Sequence, residues 1–144
     1  MWRALIATAT LSILGCVQIP ESPQEIADKK IEPVPGKAVV YVVQNPTGNY
    51  NYAAGLSFDD GTQITTWPGT FYRWVTTPGT HTIRSWEANL SAHISLQLEA
   101  GRVYFVQHYV TGVRGSTTDA RLERLGDQSG RQLVAISRLC CAVR

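Results

Sequence analysis

Apolar and polar residues alternate along most of this chain in short runs, broken by glycine, proline or asparagine about every ten residues, a pattern of strands and turns. Ile94, Leu96 and Leu98 alternate with His93, Ser95, Gln97 and Glu99, which predicts a strand with one wet face. Ala54, Leu56 and Phe58 alternate with Gly55, Ser57 and Asp59 in the same way, and Asp60-Gly61 follows as a tight-turn dipeptide. Residues 63–67 are therefore expected to return antiparallel. Two runs depart from alternation. AVVYVVQ at 38–44 and VYFVQHYVT at 103–111 are apolar on both parities and too short for helices, so they predict two central strands buried on both faces. Residues 47–52 read as a polar loop, 89–90 as a short connection and 112–119 as a glycine and hydroxyl loop. Residues 120–125 are short and charge-laced, and 126–130 turn the chain again. Residues 132–143 suit either a strand or a helix: Leu133, Ile136 and Leu139 share a helical face, but the run is short and flanked by Gly130.

The densest signal is FYRWVTTPGTHTIRSW at 71–86, two aromatic and β-branched runs around Thr77-Pro78-Gly79-Thr80. It reads as a β-hairpin with a loop at 78–80, which sets Val75 opposite Ile83, Tyr72 opposite Trp86, and Trp74 beside Arg84. A two-residue loop would instead oppose Arg73 and Arg84, like charges in contact. The whole pattern predicts an all-β fold, a single antiparallel sandwich of seven or eight strands.

The N-terminal part differs in kind. Arg3 precedes an apolar stretch at 4–14 that is too short to span a bilayer as a helix, so residues 1–15 read as an export signal. The stretch ends in Ile13-Leu14-Gly15-Cys16, which resembles the lipobox of bacterial lipoproteins, with Cys16 the residue that is lipidated. That resemblance implies a lipid anchor in the cell envelope. Val17 stands where an aspartate commonly signals inner-membrane retention, so the expected place is the periplasmic face of the outer membrane. Residues 16–36 carry four prolines among mixed charges and read as an extended spacer, which leaves 37–144 as the sandwich domain.

Composition narrows the function classes. The chain has 144 residues, 44% hydrophobic and 17% charged, in keeping with one globular domain. Its net charge is +2 and no Lys/Arg run is dense enough to track phosphates, which argues against nucleic acid as a partner.

GKAVVYV at 36–42, the DDG turn at 59–61, TFYRWVTTPGTHTIR at 70–84, LQLEAGRVYFVQ at 96–107 and LERLGDQSGRQLV at 122–134 together resemble the DUF2846 family of bacterial envelope proteins, many of them lipoproteins. The resemblance runs from about residue 36 to 139. It implies a PEGA-like, immunoglobulin-like or prealbumin-like β-sandwich and carries no catalytic residue with it. The aromatic-rich segment 67–86 and the Cys140-Cys141 pair depart from the family's pattern.

His81, His93 and His108 lack the spacing of a zinc site and read as hydrogen-bonded structural histidines. Asp59 and Asp60 are adjacent at a strand end and point apart, which suits a turn better than glycoside hydrolysis. No nucleophile-elbow motif surrounds a serine, and neither metal nor cofactor is expected. Trp67, Tyr72, Trp74 and Trp86 are the candidate contact residues: an aromatic strip for a partner or sugar ring if exposed, core if that parity faces inward. Cys140 and Cys141 remain once Cys16 is lipidated; in an oxidising compartment they are buried thiols, a vicinal ring or an intermolecular bridge, and the bridge is the expectation carried forward. The sequence thus points to a non-enzymatic envelope lipoprotein whose sandwich contacts another envelope protein or its own copy. The alternative is a cell-wall glycan-binding module using the aromatic strip.

Overall fold

The structure is a computed structural model that describes residues 19–45, 53–86, 92–111 and 119–141. In chain order its elements are α1 (Pro23–Asp28), β1 (Ala38–Gln44), β2 (Ala54–Phe58), β3 (Gln63–Thr66), β4 (Thr70–Thr76), β5 (Gly79–Ser85), β6 (His93–Leu98), β7 (Val103–Thr111), β8 (Asp119–Leu125), α2 (Asp127–Ile136) and β9 (Arg138–Leu139). The leader at 1–15, Cys16, and the loops at 46–52, 87–91 and 112–118 lie outside the described residues.

The strands form two sheets, β8-β7-β1-β4-β9 and β3-β2-β5-β6, packed as a sandwich. The all-β expectation holds, with nine strands among the described residues where seven or eight are expected, the ninth a two-residue strand after α2. The two runs apolar on both parities lie side by side inside the first sheet, and every residue of β1 is buried. They pair in parallel, Val40 opposite Tyr104 and Val42 opposite Val106, and β9 is parallel to β4, so this sheet is mixed where an antiparallel one is expected. A parallel pair needs a long connection, and here β1 and β7 are joined through the whole second sheet.

The expected hairpin at 71–86 is overturned. β4 pairs with β1, from Ala38 opposite Thr76 to Gln44 opposite Thr70, while β5 pairs with β2 and β6 in the other sheet. The chain reverses at Thr77-Pro78-Gly79 as expected, with Gly79 at φ +134, but it crosses from sheet to sheet. Trp74 and Ile83 consequently share the inter-sheet core and do not lie beside each other on one sheet. The Ala100-Gly101 turn also carries the chain between sheets, from β6 to β7. By contrast, Asp60-Gly61 makes the expected hairpin, Leu56 opposite Ile64.

Two apolar layers result. Between the sheets, Val40, Val42, Trp74 and Val106 meet Leu56, Phe58, Ile83, Leu96 and Leu98. On the outer face of the first sheet, Val39, Tyr41, Val43, Phe71 and Phe105 are covered by Ile31 and by Val134 of α2. Of the ambiguous C-terminal stretch, residues 132–136 belong to a helix that starts at Asp127, within the expected turn, and 138–139 form strand β9; Gly130 is buried where any Cβ would overlap Phe105.

The spacer expectation is corrected for the residues seen. Ser22 caps α1 by accepting from the Glu25 N–H at 3.1 Å, with Pro23 in the first turn. The Tyr41 hydroxyl donates to the Asp28 carbonyl at 2.6 Å and fastens the helix to β1. Glu25 is buried, with Lys29 Nζ and Arg138 Nε each at 3.1 Å, so the N-terminal helix is ion-paired to the C-terminal strand. The outer layer of apolar residues needs a cover, and this segment together with α2 supplies it.

Candidate functional site

Each candidate group lands in a different part of the sandwich. Trp74 is 2% exposed, its ring 4.7 Å from that of Phe58 and tilted to it by 49°, with the Tyr72 ring 5.6 Å from the same phenyl. Tyr72 is half-buried against the same core, and burial followed by the Asp60 charge raises its phenol pKa. Trp67 and Trp86 are exposed. The four therefore form no strip, because the parity that carries Tyr72 and Trp74 on β4 faces inward. Trp67 lies in the turn between β3 and β4, where Thr70 Oγ1 donates to its carbonyl at 2.7 Å. Trp86 follows β5 and lies over the outer face of the second sheet.

That last position is the most distinctive surface feature. Trp86 is 55% exposed, its N–H donates to the Gly55 carbonyl at 3.2 Å, and its indole covers the Gly55 Cα so closely that a Cβ there would overlap the ring. Around it the outward positions of β2, β3, β5 and β6 are polar: Ser57, Thr65, Thr82, Arg84, Ser95 and Gln97. The Thr82 and Ser95 hydroxyls are 3.2 Å apart across two of these strands. The sequence signal for this arrangement is a lone glycine at an outward strand position, which marks a close approach.

Asp59, Asp60 and His81 meet at one end of the sandwich. Asp59 accepts from the Thr82 N–H at 2.9 Å and faces His81 Nδ1 at 3.0 Å, while His81 Nε2 faces the Thr77 carbonyl at 2.9 Å. Asp60 accepts from the Thr62 N–H at 2.8 Å and from Trp74 Nε1 at 2.7 Å. Burial opposes the Asp60 charge, but the hydrogen bonds from Thr62 and Trp74 and the field of His81 outweigh it and hold the carboxyl below its ordinary value. The open hollow here, about 510 Å³, includes Lys37, Thr77 and Thr80 in its lining. With Nδ1 on Asp59 and Nε2 on the Thr77 carbonyl, His81 fastens the two turns together.

His108 is fully buried between the sheets, with Thr66 Oγ1 at 3.3 Å from Nδ1 and Ser85 Oγ at 3.1 Å from Nε2. Thr66 donates its hydroxyl proton to the Ala54 carbonyl at 3.1 Å, so it accepts from Nδ1–H, and Nε2 accepts from Ser85. Burial lowers the imidazole pKa to about 4. His93 is exposed on the wet face of β6. Among the described residues no group of three or more His, Cys, Asp or Glu is placed to hold a metal ion.

Cys140 and Cys141 are joined to each other as a vicinal disulfide, the second of the three states weighed from the sequence. Cys140 is buried, its N–H donates to the Phe71 carbonyl at 2.8 Å, and Cys141 takes φ +59. The Cys141 sulfur lies 2.9 Å from the Thr65 carbonyl. With no thiol proton this is a contact and not a hydrogen bond, and it joins the end of the first sheet to edge strand β3 of the second. Beside it, Gln24, Asp28, Tyr72, Arg73 and Leu139 line a groove of about 440 Å³. Its polar groups answer one another, with Gln24 donating to Asp28 at 2.9 Å and Arg73 paired to Asp28 at 3.7 Å.

No family model, curated protein or solved structure matches the chain.

Proposed function

We propose that this chain is a lipid-anchored protein of the bacterial cell envelope that acts by holding a partner, without catalysing a reaction. Cys16 carries the lipid, and the outer face of β3-β2-β5-β6 makes the contact with another envelope protein or a second copy. The observation that carries the reading is the half-exposed Trp86 ring laid across Gly55 on an otherwise polar face. An aromatic ring held against the backbone loses little conformational freedom on binding, and such rings are enriched at interface cores. The lipobox-like Ile13-Leu14-Gly15-Cys16 and the resemblance to DUF2846 envelope proteins support the location.

The same ring among hydroxyls also suits the face of a sugar, so cell-wall glycan is the second reading. Crosslinking in intact membranes, with Trp86→Ala beside the wild type, separates the two. A discrete crosslinked species that the variant loses supports a protein contact, and equal yield in both defeats it. Tryptophan emission that shifts with cell-wall fragments in the wild type but not in Trp86→Ala would replace the first reading by the second.

A further inference from the structure

The chain is fastened to its own domain very soon after the proposed anchor. Arg138 donates from Nη1 to the Ile19 carbonyl at 3.0 Å and from Nη2 to the Pro20 carbonyl at 3.3 Å, while its Nε is held by buried Glu25 at 3.1 Å. Only Val17 and Gln18 separate Ile19 from Cys16. Even fully extended, this connection spans no more than about 11 Å. A lipid on Cys16 therefore leaves the domain no long tether, and the side that carries Ile19 stays beside the headgroups.

That side is chemically suited to the place. It bears α1 and α2, which cover the outer face of the first sheet, and it exposes Ile19 (76%), Ile26 (52%) and Ile136 (70%). Several charges near these isoleucines are paired, Lys29 with Glu21 and Glu25, Arg138 with Glu25, and Arg131 with Asp127, while exposed Lys30, one turn on from Ile26, has no ion-pair partner among the described residues. Exposed aliphatic side chains among paired charges and an outward lysine suit a headgroup layer, where the apolar groups enter and the cation meets the lipid phosphates. The Trp86 face lies on the far side of the two-sheet stack, one inter-sheet spacing of ~10 Å beyond the first sheet. We infer that the helix-bearing face, with Ile19, Ile26 and Ile136, rests on the lipid surface and that the Trp86 face is presented away from it. This rests on the lipid-anchor reading and adds an orientation to it.

Photo-crosslinking in membranes tests the orientation on the full anchored chain. A benzoyl-phenylalanine replaces Ile26, Ile136 or, as the control on the opposite face, Arg84, all three exposed, and metabolic acyl labelling is read on the same samples. The expected result is an acyl-labelled protein with lipid adducts at Ile26 and Ile136 and loss of those adducts at Arg84. Labelled protein with adducts at Arg84, or with none at the two isoleucines, overturns the orientation alone. Protein without acyl label overturns the anchor and the orientation together.

Discussion

The indole of Trp86 rests directly on the Cα of Gly55, and the absence of a side chain at Gly55 is what lets it lie there. Gly55 does not adopt a positive φ, so alanine is acceptable to the backbone and only the ring objects. Gly55→Ala is expected to destabilise the domain by about 1–3 kcal/mol through overpacking and to shift tryptophan emission towards the red as the ring is displaced. The same substitution in a Trp86→Ala background should cost much less, since nothing remains to displace. Denaturant midpoints of the four proteins check this, and an undiminished loss in the second background would show that the ring is not the reason for glycine.

His108 is the buried group with the clearest pH signature. Its folded pKa is about 4 against an ordinary 6.5, because burial disfavours the imidazolium. The unfolded chain takes up the proton first as pH falls. The contribution to stability is thus complete above about pH 6.5 and lost progressively down to about pH 4, roughly 3 kcal/mol in all at ~1.4 kcal/mol per unit. His108→Gln should flatten that part of the pH profile relative to wild type. Nitrogen shifts of the imidazole at neutral pH should show the proton on Nδ1, and a proton on Nε2 would contradict the Thr66 and Ser85 assignment.

Most strands were legible in the sequence because each shows its burial locally, β2 and β6 as period-two alternation and β1 and β7 as short runs apolar on both parities. β1, β2, β6 and β7 follow from AVVYVVQ, AGLSF, HISLQL and VYFVQHYVT. Partner choice was not legible. A reversal such as Thr77-Pro78-Gly79-Thr80 joins either two neighbours on one sheet or two strands facing each other across a core, and Trp74 and Ile83 are apolar in both cases. Helix α1 had a signal, Ser22-Pro23-Gln24-Glu25, in which a capping serine, an early proline and a glutamate three residues on coincide. Proline content outweighed it, and six residues are too few for a periodic pattern to compete. The isolation of Tyr72 and Trp74 from Trp86 follows from the same error: once β4 and β5 belong to different sheets, their aromatic residues no longer share a face.

Gly79 makes the sheet-to-sheet corner at φ +134, a conformation that β-branched residues avoid. Gly79→Val is expected to cost about 1–3 kcal/mol. Among the described residues only the His81 ring tip comes near, at 4.0 Å, so the loss would come from the backbone and not from a clash. Gly79→Ala should consequently lose nearly as much as Gly79→Val. A large gap between the two in thermal melts would point to side-chain volume instead.

The disulfide between Cys140 and Cys141 closes the smallest loop that neighbouring residues allow, so it restrains the unfolded chain very little. Replacing both cysteines by serine should cost about 1 kcal/mol, far less than a bridge across distant residues. The main-chain bond from Cys140 to Phe71 and the Arg138 to Glu25 pair remain to hold the end of the chain on β4. The single variants should differ from each other. Cys140→Ser leaves the less buried Cys141 as a lone thiol beside the Thr65 carbonyl, and it should dimerise on a non-reducing gel. Cys141→Ser leaves buried Cys140, which should stay monomeric and react slowly with alkylating agents. The wild type should be monomeric on the same gel, lighter by the two lost thiol hydrogens, and alkylated only after reduction. A wild-type dimer that reductant separates would restore the intermolecular bridge and remove the vicinal one.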